Sequence, residues 1–473
     1  MATSLSRLVI AGLSGDSGKT IVSLSFVVAL KRKGHSVSVF KKGPDYIDPA
    51  WLSMVTRRDC RNLDTYMVAP EVVRQSFVDH GRNSDIAVVE GNRGLYDGRD
   101  ATGTNSTAEL AKLIDSPVVL VVNAAKTTRT IAALVRGCQT FDPEVKIAGV
   151  ILNRIAGARH LRVLTDSIEK YCGIPVVGAI PKLGDDSTLI PGRHLGLITP
   201  SEYQHDKALR SRLEEIAEAH LDVDGMISIA ETVEQLDCDA RDTPRRVPGK
   251  VKIGYFKDSV FTFYYPENLE ALEAEGADLV PVSSLDDKRL PDVDALYIGG
   301  GFPETHAEQL AGNRSMMESV RKAANNGLPV YAECGGLIYL ARSLKYGDTA
   351  YEMAGVFEID LEMHRKPVGH GYTLVEVDSP SPFYPVGTKI RGHEFHYTGP
   401  SSGLGEVASC MAVETGTGVG NGRDGLIYKN TLACYTHVHA DGVESWASSM
   451  VSRAAHYAKT RTGRRTGGGG GNN

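Results

Sequence analysis

Short apolar runs alternate with amphipathic stretches through the first half of the chain. Arg7–Gly12, Val37–Phe40, Asp85–Glu90, Pro117–Asn123, Ile147–Asn153 and Ile174–Ile180 are rich in valine, isoleucine and leucine, with few polar interruptions. Runs of this kind predict parallel strands buried on both faces. The stretches between them supply helical crossovers; the first, Ile21–Lys33, is closed by Gly34. This is the pattern of a doubly wound α/β domain, which binds its ligands at the carboxyl ends of its strands. A second α/β run starts at Val251–Phe256 and continues through Leu279–Val282, Ala295–Ile298 and Pro329–Ala332. Tyr372–Val377 alternates instead, which predicts an antiparallel strand and therefore a mixed sheet.

Residues 236–250 (LDCDARDTPRRVPGK) break the pattern with charges, two prolines and no apolar period, and read as a linker. The expected organisation is a first domain over 1–235, a second over 251–459, and a disordered, low-complexity tail over 460–473 that ends TGGGGGNN. No internal repeat relates the halves. The length of 473 residues suffices for two or three domains with their own cores. A formal charge of −6 gives no reason to expect a nucleic-acid or membrane surface. No apolar run is long enough for a membrane span and no signal peptide precedes the first strand, so a cytoplasmic protein is expected. The seven cysteines lack the paired spacings of zinc sites or disulfide scaffolds.

The first strand runs into Gly12-Leu-Ser-Gly15-Asp-Ser-Gly18-Lys19-Thr20 and a helix follows at once. Glycines let backbone N–H groups turn toward phosphates, and a helix N-terminus adds its positive end. Lys19 is placed for the β- and γ-phosphates of ATP and Thr20 for Mg²⁺. Gly12 stands six residues before Gly18 rather than the usual five. After the second strand come Lys41, Lys42, Asp45, Tyr46 and Asp48, where two carboxylates and a lysine can serve Mg²⁺ and an anionic substrate; the plain alternative is a Gly-Pro turn with solvated charges. Glu90 ends the third predicted strand, the usual place for a Mg²⁺-holding carboxylate, and Asp97 lies on the glycine-rich loop beyond it. Asn153 ends another strand, where its amide either pairs with a purine edge or caps the next segment.

In the second half, Ala332-Glu333-Cys334-Gly335-Gly336 joins a strand to a helix, the geometry of a nucleophile elbow. The helix N-terminus is expected to lower the thiol pKa. Two clusters compete to supply a base: His437 with His439, and His393 with His396. If the strand continues, His437 and His439 share a face, so one can act on the thiol while the other orients it. Gly300 and Gly301, after the strand Ala295–Ile298, and Gly335 beside the cysteine can offer N–H donors as an oxyanion hole.

Together, GLSGDSGKT, KKGPDYIDP, VVEGNRGLYDG, STAELAKL, GVILNR, RHLGL, GGGFPE, AECGGLIYL, RGHEFHYT and YTHVH resemble the cobyrinic acid a,c-diamide synthases over residues 5–445. The Gly12-to-Gly18 spacing is similar to that of dethiobiotin synthetases, and the second half is similar to class I glutamine amidotransferases. The resemblance implies a P-loop synthetase domain fused to an amidotransferase domain. It implies Cys334 as nucleophile, His437 as base, and His439 or nothing as the third member, because this chain lacks the His-x-Glu of many relatives. It assigns Lys19 and Thr20 to ATP and Mg²⁺, Glu90 to Mg²⁺, and Asp45, Asp48 and Asp97 to the reacting end. Leu13 and Lys42 depart from the family's commoner residues beside the phosphates.

The implied reaction takes L-glutamine and a polycarboxylated tetrapyrrole. ATP activates an acetate side chain as an acyl phosphate, and ammonia from glutamine displaces the phosphate. Separate sites imply an internal ammonia path. The resemblance favours cobyrinic or hydrogenobyrinic acid; relatives acting on sirohaem or nickel-sirohydrochlorin keep those substrates open, and a homodimer is allowed. The non-enzyme rival is a partitioning-type ATPase switch, against which the cysteine elbow speaks. Cobyrate synthase, the rival among enzymes, lacks the KGPDYIDP segment.

Overall fold

The computed structural model describes residues 5–183, 189–193, 196–203, 206–236, 249 and 251–467. The chain forms two compact units, 1–243 and 244–473, so the boundary falls inside the expected linker; 237–248 and 250 lie outside the described residues.

The first unit is built on seven strands: β1 (Ser6–Gly12), β2 (Val37–Lys42), β3 (Arg61–Leu63), β4 (Ile86–Gly94), β5 (Val118–Asn123), β6 (Ile147–Ile155) and β7 (Val176–Pro181). Their order is β3-β2-β4-β1-β5-β6-β7 and every pairing is parallel. β1 is flanked by β4 and β5, so its carboxyl end opens at the point where the chain order reverses, where such sheets bind ligands. Leu8, Val9, Ile10 and the whole of Val118–Val122 are solvent-inaccessible, as strands covered on both faces require. Two two-residue strands, β8 (Gly192–Arg193) and β9 (Gly196–Leu197), pair further on.

Three strands extend past their expected ends. β2 takes in Lys41 and Lys42, which the apolar pattern put after it. β4 continues beyond Glu90 to Gly94, and β6 beyond Asn153 to Ile155. An irregularity in the β1–β4 register precedes the pair Gly12↔Gly94, so the ladder resumes through glycines that read as loop. β3 is Arg-Asn-Leu and carries no apolar signal.

The second unit holds a nine-stranded mixed sheet. Its parallel part comprises β10 (Val251–Phe256), β11 (Ala277–Val282), β12 (Ala295–Ile298) and β13 (Val330–Glu333). β14 (Ser343–Tyr346), β15 (Thr349–Glu352), β16 (Asp360–Met363) and β19 (Thr398–Ser402) form a separate four-stranded sheet. The large sheet is completed by β17 (Gly369–Val377), β18 (Lys389–His396), β20 (Ser409–Thr415), β21 (Arg423–Tyr428) and β22 (Thr431–Cys434), in the order β11-β10-β12-β13-β22-β21-β20-β17-β18. The alternating run at Tyr372 lies in β17, antiparallel to both neighbours, as its pattern predicts. One core cluster holds Phe256, Phe261, Leu337 and Tyr339; the other packs Tyr297 and Tyr331 against Trp446.

The last helix, Ser445–Gly467, runs past Thr460, where composition predicts a disordered tail. Arg461 gives that turn partners, through ion pairs with Asp292 and Asp294 and a hydrogen bond to the Val293 carbonyl at 3.2 Å. Residues 468–473 lie outside the described residues. Among the described residues no helix is long and apolar enough to cross a membrane.

Arg7 ties the first unit together. Its guanidinium is inaccessible to solvent and donates to the carbonyls of Leu5 (3.1 Å), Ile114 (2.7 Å), Asp115 (2.9 Å) and Glu234 (3.0 Å). Removing it leaves buried acceptors unpaired. Arg7→Met is expected to destabilise this unit by about 3 kcal/mol. Thermal denaturation checks this; an unchanged melting profile contradicts it.

Candidate active sites

In the first unit the loop after β1 wraps the start of the helix Lys19–Arg32. Gly18 has φ +95°, and a Cβ there would stand 2.3 Å from Asn153 Nδ2. A Cβ on Gly12 would stand 2.4 Å from Ser17 Oγ and 2.8 Å from Lys19 Nζ. Gly15 has open space around it and is not required by packing. Lys19 folds back to the Ser14 carbonyl at 3.3 Å. Burial and the charge of Lys41 push its ammonium below the usual lysine range.

Behind the loop lies a buried charged cluster. Lys41 Nζ donates to Asp48 Oδ2 (2.6 Å), Glu90 Oε1 (2.8 Å) and the Gly91 carbonyl (3.1 Å). Thr20 Oγ1 donates to Glu90 Oε1 at 3.0 Å. Burial pulls the Lys41 ammonium down, but the carboxylates of Asp48, Glu90 and Asp45 outweigh it and hold the charge. Asp45 turns inward onto the backbone, accepting from the N–H groups of Ile47 (3.0 Å) and Asp48 (3.4 Å) at the start of the helix Ile47–Thr56. Burial and neighbouring Asp48 push Asp45 up to about 7. Both of its oxygens are thus engaged here by backbone donors, Oδ1 by Ile47 and Oδ2 by Asp48, and burial raises Glu90 in the same direction. Tyr46 directly precedes that helix and is half-buried.

Glu90 is different. It is fully buried and its Oε2 has no hydrogen-bond partner. A buried carboxylate oxygen left open, next to the Thr20 hydroxyl, fits Mg²⁺, which takes one or two protein oxygens together with phosphate oxygens and water. Asp97 is exposed; its Oδ2 accepts from the Gly94 N–H at 2.8 Å, closing the turn after β4. That turn touches the phosphate loop, for the Leu95 N–H donates to the Gly12 carbonyl at 2.8 Å. Asn153 donates to the Ser17 carbonyl (3.0 Å) and accepts from the Arg154 N–H (2.8 Å), so here its amide braces the phosphate loop. Sequence reasoning passed over Asn62, whose Nδ2 clamps the Gly43 and Asp45 carbonyls at 2.7 Å each. Its short strand carried no signal.

In the second unit, Cys334 sits between β13 and the helix Gly335–Leu340 with φ +48° and ψ −98°. Such a conformation is costly for a non-glycine residue, and strain of this kind is characteristic of nucleophile elbows. The turn is held by the Cys334 N–H donating to the Cys434 carbonyl at 2.7 Å. Gly300, Gly301 and Gly335 meet beside it: a Cβ on Gly335 would lie 2.9 Å from the Gly301 nitrogen, and one on Gly301 would lie 1.7 Å from the Val260 carbonyl oxygen. The thiol is buried, and burial together with Glu304 and Glu333 pushes its pKa well above the ordinary value. The Gly335 N–H opposes this without prevailing, which corrects the expectation of a thiol acidified by its helix.

The two histidine clusters turn out to be neighbours. His393, inside β18, forms a bridge with His437: the His437 N–H donates to the His393 carbonyl at 2.8 Å and the reverse bond measures 3.3 Å. The two rings stack with centroids 4.9 Å apart and planes at 21°. Burial and nearby His437 push the His393 imidazole well below its usual pKa, which keeps it neutral. A Cβ on Gly300 would lie 2.5 Å from His437 Cε1, so His437 faces the glycine loop.

β22 ends at Cys434, so the premise that His437 and His439 share a strand face fails. His439 turns to Glu267, 3.7 Å from its Nε2, and its Nδ1 accepts from the Asp441 N–H at 3.3 Å. The carboxylate at His437 is Glu333, with Oε2 3.3 Å from Nδ1. The sequence places Glu333 within the elbow, where a lone charge in a buried apolar strand is the available signal.

Residues 8–191 match the family model for the CobQ/CobB/MinD/ParA nucleotide binding domain. Residues 252–445 match the CobB/CobQ-like glutamine amidotransferase domain. The chain is 41% identical over 454 residues to the cobyrinate a,c-diamide synthase of Magnetococcus marinus, covering 94% of this chain and 96% of that protein. It is 41% identical over 450 residues to the enzyme of that name from Archaeoglobus fulgidus (95% and 97% covered). With the one from Methanosarcina acetivorans the figures are 38% over 490 residues, covering 98% of each.

The raised thiol pKa has a measurable sign. Without glutamine, alkylation of Cys334 by iodoacetamide is expected to keep rising with pH beyond about 8.5, the value of a free thiol. A rate that levels off below that value contradicts the buried, protonated thiol.

Proposed function

The chain belongs to the cobyrinate a,c-diamide synthase family, and on that premise we propose that it converts two acetate carboxylates of cobyrinic or hydrogenobyrinic acid into amides, using ATP and L-glutamine. The observation that carries the reading is the presence in one chain of a phosphate loop bearing Lys19 and Thr20 and a strained cysteine elbow next to a glycine loop and His437.

In the amidotransferase unit Cys334 attacks the carboxamide carbon of glutamine. Its proton passes to His437, and the oxyanion is received by N–H groups of the Gly300–Gly301 segment and Gly335. The proton goes on to the leaving nitrogen, ammonia departs, and water cleaves the thioester to glutamate. Strain at Cys334 supports this role, because a costly conformation held at a strand-to-helix turn is the geometry of a nucleophile elbow.

In the nucleotide-binding unit the substrate carboxylate takes the γ-phosphoryl group of ATP, releasing ADP. Ammonia adds to the acyl phosphate, phosphate leaves, and an amide remains. Activation is needed because a carboxylate is a poor electrophile with a poor leaving group. Lys19 and the loop N–H groups hold the triphosphate, and Thr20 and Glu90 would hold Mg²⁺. When bound, Mg²⁺ supplies charge neutralisation at the phosphates. Lys41, Asp48 and Asp97 are assigned to the reacting end, where Lys41 keeps its charge and can offset an incoming carboxylate.

Mass spectrometry tests the reading directly. Protein, ATP, Mg²⁺ and glutamine are incubated with each candidate tetrapyrrole, sirohaem and nickel-sirohydrochlorin included, and amides are counted. Two amides on cobyrinic or hydrogenobyrinic acid are expected, and product on another macrocycle alone rejects the substrate. Cys334→Ser is expected to abolish glutamine use while ammonium salts still support amidation; equal loss with both nitrogen sources sinks the two-site scheme. Lys19→Ala is expected to lower ATP-dependent product by at least about 10²-fold, as the loss of a charge that offsets the transferred phosphoryl group implies. Unchanged turnover in that variant rejects the nucleotide assignment.

A further inference from the structure

We propose that Glu333 is the positioning residue of the glutaminase site: its carboxylate holds the Nδ1–H of His437 and leaves Nε2 as the base for Cys334. The inference rests on the assignment of Cys334 and His437 made above and adds the group that orients them.

The geometry carries it. Glu333 is the last residue of β13, solvent-inaccessible, and directly precedes Cys334. Its Oε2 lies 3.3 Å from His437 Nδ1 and accepts from the Tyr297 hydroxyl at 3.3 Å. Its Oε1 accepts from the Val438 N–H at 3.4 Å. These donors come from β12 and from the segment after β22, so the carboxylate is fixed from two sides. Tyr297 is held in turn by Asn268 Nδ2 at 3.3 Å, and the same Nδ2 donates to the Val438 carbonyl at 2.9 Å. A Cβ on Gly300 would be 3.2 Å from His437 Nε2, which places that nitrogen on the glycine-loop side of the ring.

Chemistry then selects the tautomer. A carboxylate accepts and does not donate, so the nitrogen facing it carries the proton and the other presents a lone pair. Because Glu333 and Cys334 are consecutive, orienter and nucleophile are fixed by one strand end, and the imidazole is brought to them from a distant part of the chain. His439 faces Glu267 and the Asp441 N–H instead.

A purely structural reading makes Glu333 only a tie between Tyr297 and Val438. Glu333→Gln separates the two. The amide keeps the shape of the side chain and one oxygen to accept from either the Val438 N–H or the Tyr297 hydroxyl, but the carboxylate facing His437 is gone. Glutamine hydrolysis by the full chain is expected to fall about 10²-fold in kcat, within the range for losing general-base help. KM should stay within threefold, and synthesis from ammonium chloride and ATP within twofold. Hydrolysis within threefold of the wild type overturns the proposal.

A second readout follows the tautomer itself. In [¹⁵N]histidine spectra, the signal missing from His437→Asn is expected to show a protonated Nδ1 and an unprotonated Nε2 in the wild type, and to lose that pattern in Glu333→Gln. Should Glu333→Gln fail to fold, the wild-type spectrum decides alone, and an unprotonated Nδ1 overturns the proposal. Failure of the underlying reading looks different: the wild type would then hydrolyse no more glutamine than Cys334→Ser, whatever tautomer His437 shows.

Discussion

A carboxylate taken out of water must be given donors, and in both units this requirement fixes where the neighbouring groups can stand. Glu90 and Glu333 are each inaccessible to solvent. Glu90 is answered by Lys41 and Thr20, one from the adjacent strand and one from the helix after the phosphate loop. Glu333 is answered by Tyr297, Val438 and His437. Each carboxylate therefore sets the distance between a strand end and the loop beside it. The difference lies in what is left over: Glu90 keeps an open oxygen, whereas both oxygens of Glu333 are taken.

The same economy explains the glycines. At Gly12, Gly18, Gly300 and Gly335 a single added carbon would meet the side chain or backbone of a neighbouring site residue. Close approach of main chain to lysine, asparagine or histidine is what these positions supply. Gly15 lies in the same loop and meets nothing. A glycine-rich motif thus mixes residues required by packing with one that is not.

Much of this was legible in the sequence. Valine- and isoleucine-rich runs located six of the seven strands of the first sheet, and strand–glycine–helix order located the phosphate loop and the cysteine elbow. β3 escaped because Arg-Asn-Leu has no apolar pattern. Glu90 and Asn153 were expected at strand ends and lie short of them, because the ladder continues through glycine or polar residues. The histidines were harder. Period-two reasoning holds only while a strand lasts, and β22 stops three residues before His437. The pairing of His393 with His437 depends on how β18 packs against that irregular segment, which no local pattern encodes. The thiol was misjudged for a related reason: a short helix was visible, but the acids and the burial around Cys334 come from elsewhere in the fold.

Glu333 and His437 are 104 residues apart in the chain, and Trp446, beyond both, packs on Tyr297 and Tyr331 behind them. Translation is vectorial, so Cys334 is made long before His437, and the aromatic backing is made last. A nascent or prematurely terminated chain carries the cysteine without the imidazole. Such a fragment has the elbow but not the ring that stacks on His393 and meets Glu333, so the site is completed only by the last part of the chain.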